Sequence, residues 1–319
     1  MTNGNLTPAP RRSTRPARAA SRPTLPAIVP SIVPAFVLAL VPAQVRATVL
    51  ALVLALAPAP ATAQLLENLL ETCSNPRTSP AEALRTCDMA LDKGGRRLND
   101  RNRARVAFNA GVAALDLGRL TTARARLDQA VALDPTMAAA RVSRSQLRAN
   151  AGDLDGALED LDVAAANDPG SAAPHLARGR LLARAGQPRE AIASFDAALQ
   201  REPDWAASYL ERGNALLTLG EAGAAARDFG QVIARVPRDP TGWLGRGKAR
   251  AAAGIAGALN DLDRAVALAP DWGAARVVRG EYLEAIGRRD DADADFLRAW
   301  ELGARSPALE ERVRTLSGG

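Results

Sequence analysis

The sequence predicts an all-α fold, a solenoid of paired helices, and three observations predict it. Pro135, Pro169, Pro203 and Pro237 stand 34 residues apart, and Pro270 follows after 33. Small residues keep the same step: Gly111, Ser145, Gly179, Gly213, Gly247 and Gly280 in one column, and Ala123, Ala157, Ala191, Ala225, Ala258 and Ala292 in another. A bulky column lies four residues past the alanines: Leu127, Leu161, Phe195, Phe229, Leu262 and Phe296. Such a period describes units that bury their apolar faces against their neighbours rather than in one central core.

Residues 172–205 show how one unit is written. Gly179 and Ala191 are small where two helices have to approach, and Phe195 fills the space beyond them. Gly186, Gln187 and Pro188 make the turn between the helices. Pro203 stops the second helix, because proline lacks the amide donor and clashes with the preceding turn.

Gly or Ala, then Ala, Phe and Pro at these offsets in a 34-residue period resemble the tetratricopeptide repeat. The resemblance runs from about Leu66 to the C-terminus. It implies a right-handed superhelical solenoid of helix hairpins that binds a protein or peptide partner.

The chain divides accordingly. Residues 1–63 form a leader. Its second apolar stretch, Ala47–Ala57, follows Arg46 and runs into Ala61-Thr62-Ala63, a small-x-small pattern that resembles a signal peptide cleaved after Ala63. The compact signal would be Val45–Ala63, which suggests a translation start nearer Val45 than Met1. An uncleaved leader acting as a membrane anchor is the other reading. Neither apolar stretch reaches the ~20 residues of a spanning helix.

Residues 64–103 hold a divergent first helix pair and a polar linker, Lys93–Asn102. Ser79-Pro80 reads as a cap followed by a first-turn proline. The chain's two cysteines, Cys73 and Cys87, fall in this pair. An even pair behind an export signal reads as a disulfide that staples a terminal unit lacking one neighbour. Two buried thiols in a cytosolic protein are the alternative. Exported bacterial repeat proteins with a leading cysteine pair are similar in arrangement.

Residues 104–304 hold six units: Ala104–Met137, Ala138–Ser171, Ala172–Trp205, Ala206–Asp239, Pro240–Trp272 and Gly273–Ala304. The fifth is one residue short around Gly254–Gly257, and Ala304 replaces the sixth closing proline. Residues 305–319 supply a capping helix whose Glu310, Glu311, Arg312 and Arg314 suit a solvent-facing end.

Charge and motifs exclude several functions. The formal charge is +6, yet residues 1–63 carry six arginines and no acid. The remaining chain has 35 basic and 35 acidic residues, so no basic balance points to nucleic acid. Metal-ligand spacing, a phosphate loop and a nucleophile elbow are all missing from the sequence, so no enzyme, metal or cofactor is expected. The sole histidine, His175, reads as a helix-packing residue.

The resemblance carries a concave binding face onto the first helices. One column is Phe108, Val142, Leu176, Leu210, Leu244 and Val277; the next is Val112, Gln146, Arg180, Asn214, Lys248 and Glu281. A third holds Leu115, Ala149, Ala183, Leu217, Ala251 and Glu284. Spacings of three and four put each set on one helix face. The groove suits a peptide with apolar anchors and an acidic residue near Arg180, Arg184 and Lys248. Equally, the apolar column could pack between neighbouring first helices. Lysine is missing from the first column, so a clamp for a C-terminal carboxylate is not expected.

Five units place arginine before the close-packing position: Arg144, Arg178, Arg212, Arg246 and Arg279. Four place an acid before the bulky one: Asp160, Asp228, Asp261 and Asp295, with Ser194 in the third regular unit. These read as exposed structural ion pairs worth ~0–1 kcal/mol each, in preference to an anion site. Trp205, Trp243, Trp272 and Trp300 read mainly as junction packing. The expected function is an exported, periplasmic or secreted interaction scaffold; the alternative is a membrane-anchored structural subunit of a cell-envelope complex.

Overall fold

The computed structural model describes residues 61–94 and 97–317. The Met1–Pro60 part of the leader, including the apolar stretch Ala47–Ala57, lies outside the described residues. Among those described, every regular element is helical, and no helix is long and apolar enough to cross a membrane.

The first pair is α1 (Ala61–Ser74) and α2 (Pro80–Gly94). Helix α1 starts three residues ahead of the expected Gln64, so Ala63 sits in its first turn. The first regular unit is α3 (Asp100–Asp116) and α4 (Leu120–Leu133). Its first helix also starts early, because Asn99 caps it by accepting from the Asn102 amide at 2.8 Å. The next units are α5 (Ala138–Asn150) with α6 (Leu154–Asn167), α7 (Ala173–Arg184) with α8 (Pro188–Arg201), and α9 (Ala206–Thr218) with α10 (Ala222–Arg235). They continue as α11 (Pro240–Ala253) with α12 (Ala258–Leu268), and α13 (Gly273–Ala285) with α14 (Arg289–Glu301). Helix α15 (Pro307–Ser317) closes the array and buries Leu309 against it.

Each hairpin is held as its spacing implies. The six column alanines are fully buried, as are Leu127, Phe195, Phe229 and Leu262. Burying one such large side chain contributes about 1.5–3 kcal/mol. The close approach requires glycine: a Cβ on Gly179 would overlap the Phe195 ring, and one on Gly213 would lie 3.0 Å from Phe229. The turn requires it too. Gly186 has φ +75°, and the chain reverses through Gln187 N–H donating to the Leu182 carbonyl at 2.9 Å. The short fifth unit uses two left-handed glycines, Gly254 and Gly257, and its second helix has 11 residues against 14 in the preceding one.

The closing prolines do more than end helices. The carbonyl of each accepts a side-chain donor: Pro135 from Arg141, Pro169 from Arg201, Pro203 from Arg235, Pro237 from Trp243 and Pro270 from Arg276. These bonds tie each inter-unit loop to a neighbouring helix and give the loop carbonyls a donor.

The Cys73 and Cys87 sulfurs lie at bonding distance, linking α1 to α2, and the Asn109 side chain of α3 donates to the Cys73 carbonyl at 3.5 Å.

Candidate functional site

First helices adjoin one another along the array: α1 meets α3, α5 meets α7, α7 meets α9, α9 meets α11 and α11 meets α13. Second helices make no comparable mutual contacts among the described residues. Unequal spacing of this kind bends a stack toward its closer-packed side, so the first helices form the concave face.

On that face a groove of about 640 Å³ lies across α5, α7 and α9. Its lining includes Val142 and Gln146 from α5, Ala173, Leu176, Ala177, Arg180, Ala183 and Arg184 from α7, and Glu211 from α9. Three alanines make the room: their short side chains leave space between helices that larger neighbours hold apart. The floor is apolar and the rim charged.

The residues expected to line a groove therefore divide. Val142, Gln146, Leu176, Arg180 and Arg184 meet in it. Leu176, at 3% exposure, packs with Phe195 and Ala198 and forms the groove's floor. Phe108 is half-buried between two core clusters, and Leu210 packs beside Phe229. For these three, packing between helices prevails. Val112 and Leu244 are half-buried on their helices, outside this groove. Asn214 and Lys248 are exposed farther along the same face. The residue sequence reasoning missed is Glu211, whose Oε1 accepts from Arg180 Nε at 2.7 Å across the rim. No carboxylate pairs with Arg184 or Lys248 among the described residues.

An ionic ladder fixes the helices behind the groove. Arg144, Arg212, Arg246 and Arg279 each hold the expected aspartate through two hydrogen bonds, at 2.6–2.8 Å. The expectation of exposed pairs is wrong: Asp160, Asp228, Asp261 and Asp295 are 1–6% exposed. The ladder also crosses units. Arg144 reaches Asp128, Arg178 reaches Asp162, Arg212 reaches Asp196 and Arg279 reaches Asp263, each on the preceding second helix. Those four acids each follow the bulky column by one residue, a repeat visible in the sequence; Gly230 stands there in the fourth unit. Hydrogen bonds to the buried aspartates raise the pKa of Arg144, Arg212 and Arg279 above the guanidinium's already high value.

The third regular unit is the exception. Arg178 donates to Ser194 at 3.0 Å where the others hold a carboxylate. Nearby His175 is half-buried, with Nε2 unpartnered. Burial pushes its pKa below the ordinary imidazole value, and the charges of Arg201 and Arg178 push it the same way.

Aromatic residues serve the junctions. Trp205 and Trp272 precede α9 and α13 as caps, and Trp205 packs on the Phe195 cluster. Arg235 lies 4.7 Å over the Tyr209 ring and Arg246 5.0 Å over Trp243.

Repeated helix hairpins with buried small-to-large contacts and a concave first-helix face define a helical-hairpin repeat array. A family model described as tetratricopeptide repeat matches residues 108–172, 176–226 and 210–257. The chain is a tetratricopeptide-repeat protein. Among solved structures, it is similar to a tetratricopeptide repeat protein from Parabacteroides merdae, with 20% identity, a TM-score of 0.59, and 79% of this chain and 98% of that one covered. It is similar also to PilW, a type IV pilus biogenesis factor, at 20% identity and TM-score 0.60 over 66% and 98% of the two chains. A third likeness is to the Cut9–Hcn1 structure, at 13% identity and TM-score 0.59 over 79% and 52%. At these identities the likeness is one of fold. No curated protein matches the chain in sequence.

Proposed function

We propose that the protein is a non-catalytic interaction scaffold that takes a segment of a protein partner into the groove formed by α5, α7 and α9. The observation that carries this reading is the groove itself: an apolar floor, room left by three alanines, and a polar rim, all on rigid helices. Sites of that make-up bind by burying apolar anchors and use a few polar groups for orientation.

A photo-crosslinking amino acid at Ala183, which is exposed in the groove, tests it against the same group at Ala193, exposed on the second helix α8. A scaffold of this kind crosslinks to its partner from position 183 and not from 193. Equal crosslinking from both positions, or from 193 alone, would contradict the groove.

We further propose that the protein is exported, with the leader cleaved after Ala63 and the Cys73–Cys87 bond formed in an oxidising compartment. The Cys73–Cys87 geometry and the signal-like leader support this reading. Cell fractionation with intact mass measurement before and after reduction checks both steps. A periplasmic species beginning at Gln64, with thiols revealed by reductant, is expected. An uncleaved, membrane-bound species would favour the anchored subunit instead.

A further inference from the structure

We infer that the α5–α7–α9 groove selects an acidic segment carrying one large apolar side chain, and that Glu211 restrains this selection by competing for Arg180. The inference rests on the groove being the binding site and adds the partner's chemistry.

Shape gives the first half. Ala173, Ala177 and Ala183 leave a groove of about 640 Å³ beside the buried Leu176 and the half-buried Val142. That volume exceeds what a small side chain fills and admits an aromatic or long aliphatic one. Burial of such a group against an apolar floor is the usual source of anchor affinity.

Charge gives the second half. Most of the arginines on the middle first helices already have acid partners: Arg141, Arg144 and Arg148 share Asp160, with Asp128 and Asp153 beside them, Arg212 holds Asp228 and Asp196, and Arg246 and Arg250 share Asp261. Arg184 is different. It lies exposed on the groove wall with no acid partner among the described residues, and Lys248 lies likewise on the same face two first helices on. Arg180 is also exposed, and its one acid partner, Glu211, lines the same groove. A carboxylate entering here meets Arg184 unopposed and can replace Glu211 on Arg180. A basic segment meets Arg184 with like charge. The groove thus favours acidic segments both by attraction and by exclusion of their opposites.

Glu211 sets how strongly. While it holds Arg180, an incoming carboxylate must displace it, so the gain is the difference between two ion pairs. Glu211→Gln leaves Arg180 open and tightens acidic ligands.

Selection of displayed random dodecapeptides on the full chain tests the inference, with fluorescence anisotropy of the selected peptides. Ala183→Trp, which fills the groove from an exposed position, serves as the blocked control. The expected peptides carry Asp or Glu beside one large apolar residue. They should bind about fivefold more weakly to Arg184→Glu, the size of a partly screened charge pair, and more tightly to Glu211→Gln. Circular dichroism melts confirm that these exposed changes leave the fold intact. Selection of neutral or basic peptides that Ala183→Trp still blocks would overturn the acidic preference while the groove stands. So would acidic peptides indifferent to Arg184→Glu. An unchanged affinity in Glu211→Gln would remove Glu211's role. Peptides bound equally by Ala183→Trp, or none selected over it, would overturn the groove and the inference together.

Discussion

The guanidinium of Arg212 grips the buried carboxylate of Asp228 through two hydrogen bonds of 2.7 Å, from Nε and Nη2, and its third nitrogen, Nη1, donates to Asp196 on the preceding hairpin. One side chain therefore closes its own hairpin and clasps the neighbour. Arg144 and Arg279 make the same double clasp, to Asp160 and Asp128 and to Asp295 and Asp263.

The two halves of the clasp should differ in strength. Asp228 is buried, so Asp228→Ala leaves the partly buried Arg212 with only Asp196 and should cost about 1.5–3 kcal/mol. Asp196 is about half exposed, and Asp196→Ala should cost about 0–1 kcal/mol. Urea denaturation of both variants measures the contrast. Equal losses would mean that burial does not govern the ladder.

The third unit should accept the missing rung. Ser194→Asp places a carboxylate against Arg178, as in four other units, and should raise stability by about 1 kcal/mol. A lower melting temperature would show that the serine site has closed around its smaller side chain.

The same chemical change should have opposite effects at two glycines. Gly179→Ala drives a methyl into Phe195 and should cost about 1–3 kcal/mol. Gly223 faces open space in helix α10, and Gly223→Ala should stabilise by about 0.5–1 kcal/mol through helix propensity. Thermal melts of the pair decide it.

His175 should impose a pH dependence. Its folded pKa lies below the ordinary value of about 6.5, because burial, Arg201 and Arg178 disfavour the charged ring. The unfolded chain thus binds the proton more readily. The neutral-state stability is fully present above about pH 6.5 and declines as pH falls toward the folded pKa. His175→Gln should flatten that decline in denaturation midpoints measured across the range. Parallel profiles for the two proteins would place the coupling elsewhere.

Reduction should act locally. The bond between Cys73 and Cys87 closes a loop of 14 residues' separation, worth about 3 kcal/mol in the chain-entropy model. Hydrogen exchange of α1 and α2 should rise on reduction while α7 to α11 stay protected, because units contact only their neighbours.

The architecture was legible because its anchors are backbone-close and periodic. Glycine against Phe195 or Phe229, alanine at each crossing and proline after the second helices α4, α6, α8, α10 and α12 leave one-letter signatures at fixed offsets. The ion pairs between Arg144 and Asp160 and their repeats were legible by the same spacing. Their burial was not, since it depends on how far each hairpin sinks against the next. The groove was half legible. Helical spacing put Leu176, Leu210 and Arg180 on one face, but curvature decides how far each lies from solvent. It sank Leu176 into the Phe195 cluster and opened the alanine-lined space beside it. Glu211 escaped notice because its partner Arg180 lies on a different helix, 31 residues away.

The most direct test of the central claim, that the first-helix groove is where a partner lies, is hydrogen exchange of the full chain with and without the partner crosslinked from Ala183. Added protection confined to α5, α7 and α9, with second helices α6, α8 and α10 unchanged, is the predicted result. Protection on those second helices or along the hairpin turns, with the groove helices unchanged, would contradict it.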